Sequence, residues 1–96
     1  MKPLVILPTA QDEYVESLSW YRKRSADAMT AFEAAVEQSL DRIGSNPDRW
    51  AKCGGPYRSC LVENFPYRLI YREEATRVVV VAVAHSKRRS GYWRYR

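Results

Sequence analysis

Ninety-six residues support one domain around one core. With 46 % hydrophobic and 28 % charged residues, the composition excludes an intrinsically disordered chain. No apolar run approaches the ~20 residues a membrane helix needs, and the stretch behind Met1-Lys2-Pro3 is too short for a secretion signal, so a cytoplasmic protein with no membrane partner is expected.

Residues 4–7, bounded by Pro3 and Pro8 and containing β-branched Val5 and Ile6, predict a strand. Thr9 offers an N-cap oxygen, with Asp12 three residues on as an imperfect capping box, so the first helix is expected over residues 10–24. Its apolar positions Tyr14, Leu18 and Tyr21 follow helical spacing, with Val15 beside them. Ser25 and Asp27 break and recap the chain. The second helix carries one stripe of Met29, Phe32, Val36, Leu40 and Ile43. Gly44 stands where a C′ glycine belongs, and Asn46-Pro47 marks the stop. So short a joint predicts an antiparallel helical hairpin.

Residues 47–56 read as a polar loop. Cys53 and Cys60 flank Gly54-Gly55-Pro56 at a spacing that is not C-x-x-C, and the single histidine, His85, lies far along the chain. Two free thiols in a reducing compartment are expected, with no metal and no cofactor. Three strands follow, over residues 57–63, 67–72 and 77–84. Their turns at Asn64-Phe65-Pro66 and Glu73-Glu74-Ala75-Thr76 are short enough for an antiparallel meander. The third, with Val78-Val79-Val80-Val81-Ala82-Val83, is apolar on both faces and belongs inside the sheet. The second alternates, with Tyr67, Leu69 and Tyr71 on one face and Arg68, Ile70 and Arg72 on the other. The helical stripe is expected to cover Leu69 and Tyr71. By the same logic Tyr57 and Leu61 face inward on the preceding strand, and Arg58 and Cys60 outward. The fold class is therefore α+β, in the order β-α-α-β-β-β, with a helical hairpin on one face of a small, largely antiparallel sheet and residues 1–96 forming a single domain.

The net charge of +5 sits at the end of the chain. Lys87, Arg88, Arg89, Arg94 and Arg96 carry all of it, because the other eleven basic residues balance eleven acids. Tyr92, Trp93 and Tyr95 interleave with them, and basic side chains mixed with rings pair with phosphates and stack on bases. Arg58 and Arg68 on a bare sheet face, beside a flexible basic arm, would make a concave cationic surface. Arg58, Arg68, Arg88, Arg89, Trp93 and Arg94 are thus candidates for binding a target or its phosphates. The plain alternatives are a solubilising tail and cross-strand pairs with Glu63, Glu73 or Glu74, each worth little at a surface.

Tyr57-Arg58, Phe65-Pro66-Tyr67-Arg68-Leu69-Ile70-Tyr71, and Ala82-Val83-Ala84-His85 leading into Arg88-Arg89 and Tyr92-Trp93 carry a resemblance to a known group. With Trp20-Tyr21 and Asn46-Pro47, they resemble the RelE/ParE toxin superfamily over nearly the whole chain. The resemblance implies the toxin of a type II toxin–antitoxin pair, neutralised by a cognate antitoxin that wraps it. RelE-like members cleave mRNA in the ribosome; ParE-like members inhibit DNA gyrase. The Phe-Pro-Tyr turn and the His-x-x-Arg-Arg ending resemble the ParE side, so a gyrase inhibitor is the expectation and a ribosome-dependent mRNA endonuclease the alternative.

Cleaving RNA through its 2′-hydroxyl needs a base, an acid and cations on the phosphate. By similarity to RelE, Arg58, Arg68 and Arg88 match basic positions of the cleavage site, and Tyr92 is the nearest counterpart of its C-terminal tyrosine. Cys60 stands where a second lysine is expected, and arginine cannot act as a base. His85 and Tyr92 alone remain to move protons. They are the catalytic candidates of the RelE-like alternative, against the simpler role of a histidine that closes a strand.

Overall fold

Residues 2–96 are described by the computed structural model. Along the chain run β1 (Leu4–Ile6), α1 (Pro8–Arg24), α2 (Ala26–Ser45), β2 (Ala51–Lys52), β3 (Tyr57–Val62), β4 (Tyr67–Glu73) and β5 (Val78–His85). The strands form one sheet in the order β1-β5-β4-β3-β2, with β1 parallel to β5 and the other pairs antiparallel. The α+β order inferred from the sequence holds, with one strand added.

That strand, β2, lies in the segment read as loop. Ala51 and Lys52 have little strand propensity of their own. They pair with Ser59 and Arg58 because the chain reverses at Gly54 and Gly55, whose φ values of 120° and 52° favour glycine. The helix ends also differ in detail. Helix α1 starts at Pro8 with Leu7 as an N-cap that makes no side-chain bond. Proline at the first helical position has no amide hydrogen to leave unpaired, so Thr9 lies inside the helix instead of capping it. Helix α2 is capped as expected: Ser25 Oγ accepts the Ala28 N–H at 2.9 Å. It runs through Gly44 to Ser45, and Asn46 is the C-cap.

Phe32, Val36 and Ile43 of α2 are buried against the sheet, with Tyr14, Leu18 and Tyr21 of α1 packed beside them. Phe32 is the hub. Its ring lies 4.7 Å from Tyr21 and 5.2 Å from both Phe65 and Tyr67. Burying such a ring stabilises the fold by about 2–3 kcal/mol.

Two expectations about faces are overturned. In β3, Cys60 and Val62 point toward the helices and are fully buried, whereas Leu61 is 51 % exposed and Tyr57 lies on the other face. Pairing with β4 sets this phase, since Val62 stands opposite Tyr67, Cys60 opposite Leu69 and Arg58 opposite Tyr71. Arg58 is therefore on the helix side and Arg68 on the other, so they do not share a surface. The sequence Tyr57-Arg58-Ser59-Cys60-Leu61-Val62 has apolar residues in both alternating sets, and either phase satisfies its pattern.

The second face is not bare. In β5, Ile70 pairs with Ala82 but Tyr71 with Val80, leaving Val81 as a bulge. The shift puts Val79, Val81, Ala82 and Ala84 together on the face away from the helices, with Ile70. The expected flexible arm covers them. Turns closed by Arg88 N–H to the His85 carbonyl and Arg94 N–H to the Gly91 carbonyl fold residues 86–96 back over the sheet. Trp93, only 3 % exposed, plugs this second core and meets the Tyr57 ring edge-on at 4.8 Å.

Candidate target-binding surface

Beside the folded-back segment a groove of about 420 Å³ remains open on the second sheet face. Lys52, Arg68, Arg88 and Arg89 line it, and no carboxylate does. Lys52 comes from β2, Arg68 from β4, and the other two from the turn after β5. Arg68 Nη1 donates to Ser59 Oγ at 3.2 Å, and the side chain is otherwise exposed. Among the described residues Lys52, Arg68 and Arg89 make no ion pair. Arg88 alone of the four has a carboxylate near it, Glu13 at 3.9 Å outside the groove lining, so the concavity keeps an excess of positive charge that draws anions to it. Cys53 also lines the groove, and burial raises its thiol pKa against the pull of Arg94 and Arg68, which keeps it neutral.

The other sequence candidates have different surroundings. Arg58 Nη1 donates to the Trp50 carbonyl at 2.7 Å and so ties down the chain ahead of β2. Trp93 is a core residue, 3 % exposed, that contributes to the groove's floor and leaves little of its ring free to stack on a ligand. The Arg94 guanidinium lies against Gly54 and Gly91, where a Cβ would stand 3.0 and 3.1 Å from its nitrogens. It thereby seams the glycine turn to the C-terminal segment. Arg88 lies 3.8 Å over the Tyr92 ring, with a nitrogen 3.9 Å from the Glu13 carboxylate.

His85 and Tyr92 border both this groove and a second cleft of about 390 Å³ between α1 and the end of β5. His85 Nδ1 accepts the Lys87 N–H at 3.0 Å, its ring edge meets Tyr67 at 4.9 Å, and its Nε2 is the ring nitrogen left for other work. The Tyr92 hydroxyl donates to Glu13 Oε2 at 2.6 Å. Burial first, then that bond and the Glu13 charge, hold its pKa far above the usual phenol value, so it stays protonated. Proton transfer at the groove would fall to His85 Nε2 alone; holding anions is the chemistry most completely provided. Among the described residues no group of histidine, cysteine or carboxylate side chains could hold a metal ion.

Sequence reasoning missed Lys52 and Glu13. Lys52 reaches the groove only because β2 pairs, and Glu13 looks like an ordinary helix-surface acid until residues 70 and more positions away close on it.

Residues 4–90 match the family described as ParE toxin of type II toxin–antitoxin system, parDE. The chain belongs to the ParE toxin family. A solved structure titled "Chromosomal ParDE TA system from P. aeruginosa" is similar to this ParE-family chain with a TM-score of 0.76 at 16 % identity. The alignment covers 88 % of this chain and 96 % of that one, and at such identity it speaks for the fold. A search of curated protein sequences finds no relative. The ParE side of the superfamily resemblance is thus the right one. No helix of the ParE-family fold described here is long and apolar enough to cross a membrane.

Proposed function

We propose that this ParE-family toxin inhibits DNA gyrase through the groove lined by Lys52, Arg68, Arg88 and Arg89, and that a cognate antitoxin neutralises it. The observation that carries this reading is a concave cationic surface with no carboxylate in its lining and without a second proton-transfer group free to act. Such a surface serves binding better than cleavage. Gyrase works on DNA, so the groove would meet either DNA phosphates or an acidic face of the enzyme that holds them. The antitoxin would bring an acidic or amphipathic segment that orders as it binds. Val15 and Trp20, 53 % and 49 % exposed on α1, offer it apolar footing beside the Arg24 guanidinium stacked on Trp20.

The test is gyrase supercoiling with the purified chain, alongside translation in cells after induction. Loss of supercoiling with translation intact at early times supports the proposal. Rapid arrest of protein synthesis with cut messages and unimpaired gyrase would overturn it in favour of a RelE-like mRNA endonuclease, with His85 in the acid–base role. Arg68→Ala and Arg89→Ala should each raise the half-inhibitory concentration about tenfold or more, the loss of a charge-assisted contact. If DNA phosphates are the ligand, affinity falls by roughly 0.7–0.9 log units per contact for each decade of salt.

A further inference from the structure

Strand β1 ends at Ile6 opposite Val80, so the edge of β5 beyond that point has no strand beside it. Helix α1 and the C-terminal segment meet there. Glu13 Oε1 accepts the Val83 N–H at 3.1 Å and Arg96 Nη1 at 2.9 Å. Its Oε2 accepts the Tyr92 hydroxyl at 2.6 Å and lies 3.4 Å from Arg96 Nη2. Arg96 Nη1 also donates to the Val81 carbonyl at 3.2 Å, and Arg72 Nη1 holds the Arg96 carbonyl at 3.0 Å. One carboxylate and one guanidinium thus take the polar groups that a longer β1 would have paired. The Glu13 side chain is 15 % exposed, dry enough for these charge-assisted bonds to count.

The same contacts determine where the segment lies. With Tyr92 and Arg96 held to α1, Trp93 drops onto the second core, and the turn bearing Arg88 and Arg89 is closed at both ends. We propose that Glu13 is a positioning residue: its carboxylate clasps the C-terminal segment across the open β5 edge and so sets Arg88 and Arg89 against Arg68 and Lys52 in the groove. The functional half of this inference rests on the gyrase-inhibitor reading; the clasp itself does not.

Hydrogen exchange of the full chain tests the clasp directly. In Glu13→Gln, amides of residues 91–96 and of Val83 should exchange at least about tenfold faster, while those of β3 and β4 keep their protection. Glu16→Gln, one turn away and outside the clasp, should exchange like the parent. Adding Arg96→Gln to Glu13→Gln should change exchange by less than the sum of the two single changes, since both act on the Glu13–Arg96 contact and only the bond to the Val81 carbonyl is lost in addition. Inhibition by Glu13→Gln should need about tenfold more protein yet reach the same plateau, as expected for a displaced but intact surface. If Glu13→Gln does not fold, Tyr92→Phe with Arg96→Gln opens the clasp from the other side and must give the same exchange and the same potency loss. Unchanged exchange in residues 91–96 overturns the clasp, and a freed segment with undiminished potency overturns the positioning role. Should the parent leave gyrase untouched, the proposed target fails while exchange still judges the clasp, with growth arrest supplying the potency measurement.

Discussion

An exposed guanidinium and a buried ring differ in what their removal costs. Arg68 holds a single 3.2 Å bond to Ser59 and is exposed, so Arg68→Ala should leave stability within about 0.5 kcal/mol of the parent in a urea titration. Its effect belongs to binding. Trp93 is the opposite case. It fills the core between Ile70, Val79, Val81, Ala82 and Ala84, and Trp93→Ala should cost about 3–5 kcal/mol. A lowered urea midpoint measures that loss; an unchanged midpoint would mean the second face does not need its cover. Toxicity lost in Trp93→Ala is therefore a folding effect until stability has been compared.

Strand β3 shows how an element can be placed correctly and still face the wrong way. Its phase makes a contrast between neighbours. Leu61 stands across from Arg68 on the solvent side and Cys60 across from Leu69 in the core. Leu61→Thr should change stability by less than about 0.5 kcal/mol, while Cys60→Asp buries a carboxylate and should abolish the cooperative transition. Equal losses from both would contradict the register. Strand β1 has a related lesson. Three residues suffice to pair Val78, Val79 and Val80, and the unpaired remainder of the β5 edge falls to Glu13 and Arg96.

Over the whole molecule, the buried hydroxyls and thiols make stability depend on alkaline pH. Burial, more than any neighbouring charge, pushes Tyr71 up to about 12, and its hydroxyl donates to the Pro47 carbonyl. Burial raises Cys53, Cys60, Tyr14, Tyr21 and Tyr92 in the same direction. A raised folded value means the contribution is whole below the unfolded one, 9.0 for the thiols and 10.0 for the phenols, and is lost as pH climbs through the folded value. Unfolding free energy should therefore hold level to about pH 9 and drop steeply by pH 12. Tyr71 alone accounts for about 2–3 kcal/mol of that drop. Denaturant midpoints between pH 7 and 12 check this, and a profile flat across the range would contradict the burial of these groups. Glu74 has the reverse sign. Arg77 and Arg72 lower its pKa by hydrogen bonding, so its small, solvent-screened contribution fades as pH falls through the carboxylate range.

Local signals in this chain are strong where a residue answers to its near neighbours. Turn residues, the Ser25 cap, the α2 stripe and the valine run of β5 determined the order of the elements and, β2 apart, their bounds to within about two residues. The ParE-like character came from the resemblance carried by the Phe65-Pro66-Tyr67 turn and the His85-to-Arg89 ending. Arg68, Arg88 and Arg89 were legible as a cationic group because charge does not depend on the fold. What local signals could not hold was phase and long-range closure. An apolar residue on each side of β3 leaves alternation with a period but no preferred face. The bulge at Val81, the pairing of Ala51-Lys52, the burial of Trp93 and the meeting of Glu13 with Tyr92 and Arg96 arise only once strands are in register. Each joins groups whose interaction energy vanishes unless the rest of the chain has already brought them together, and that condition belongs to the tertiary structure.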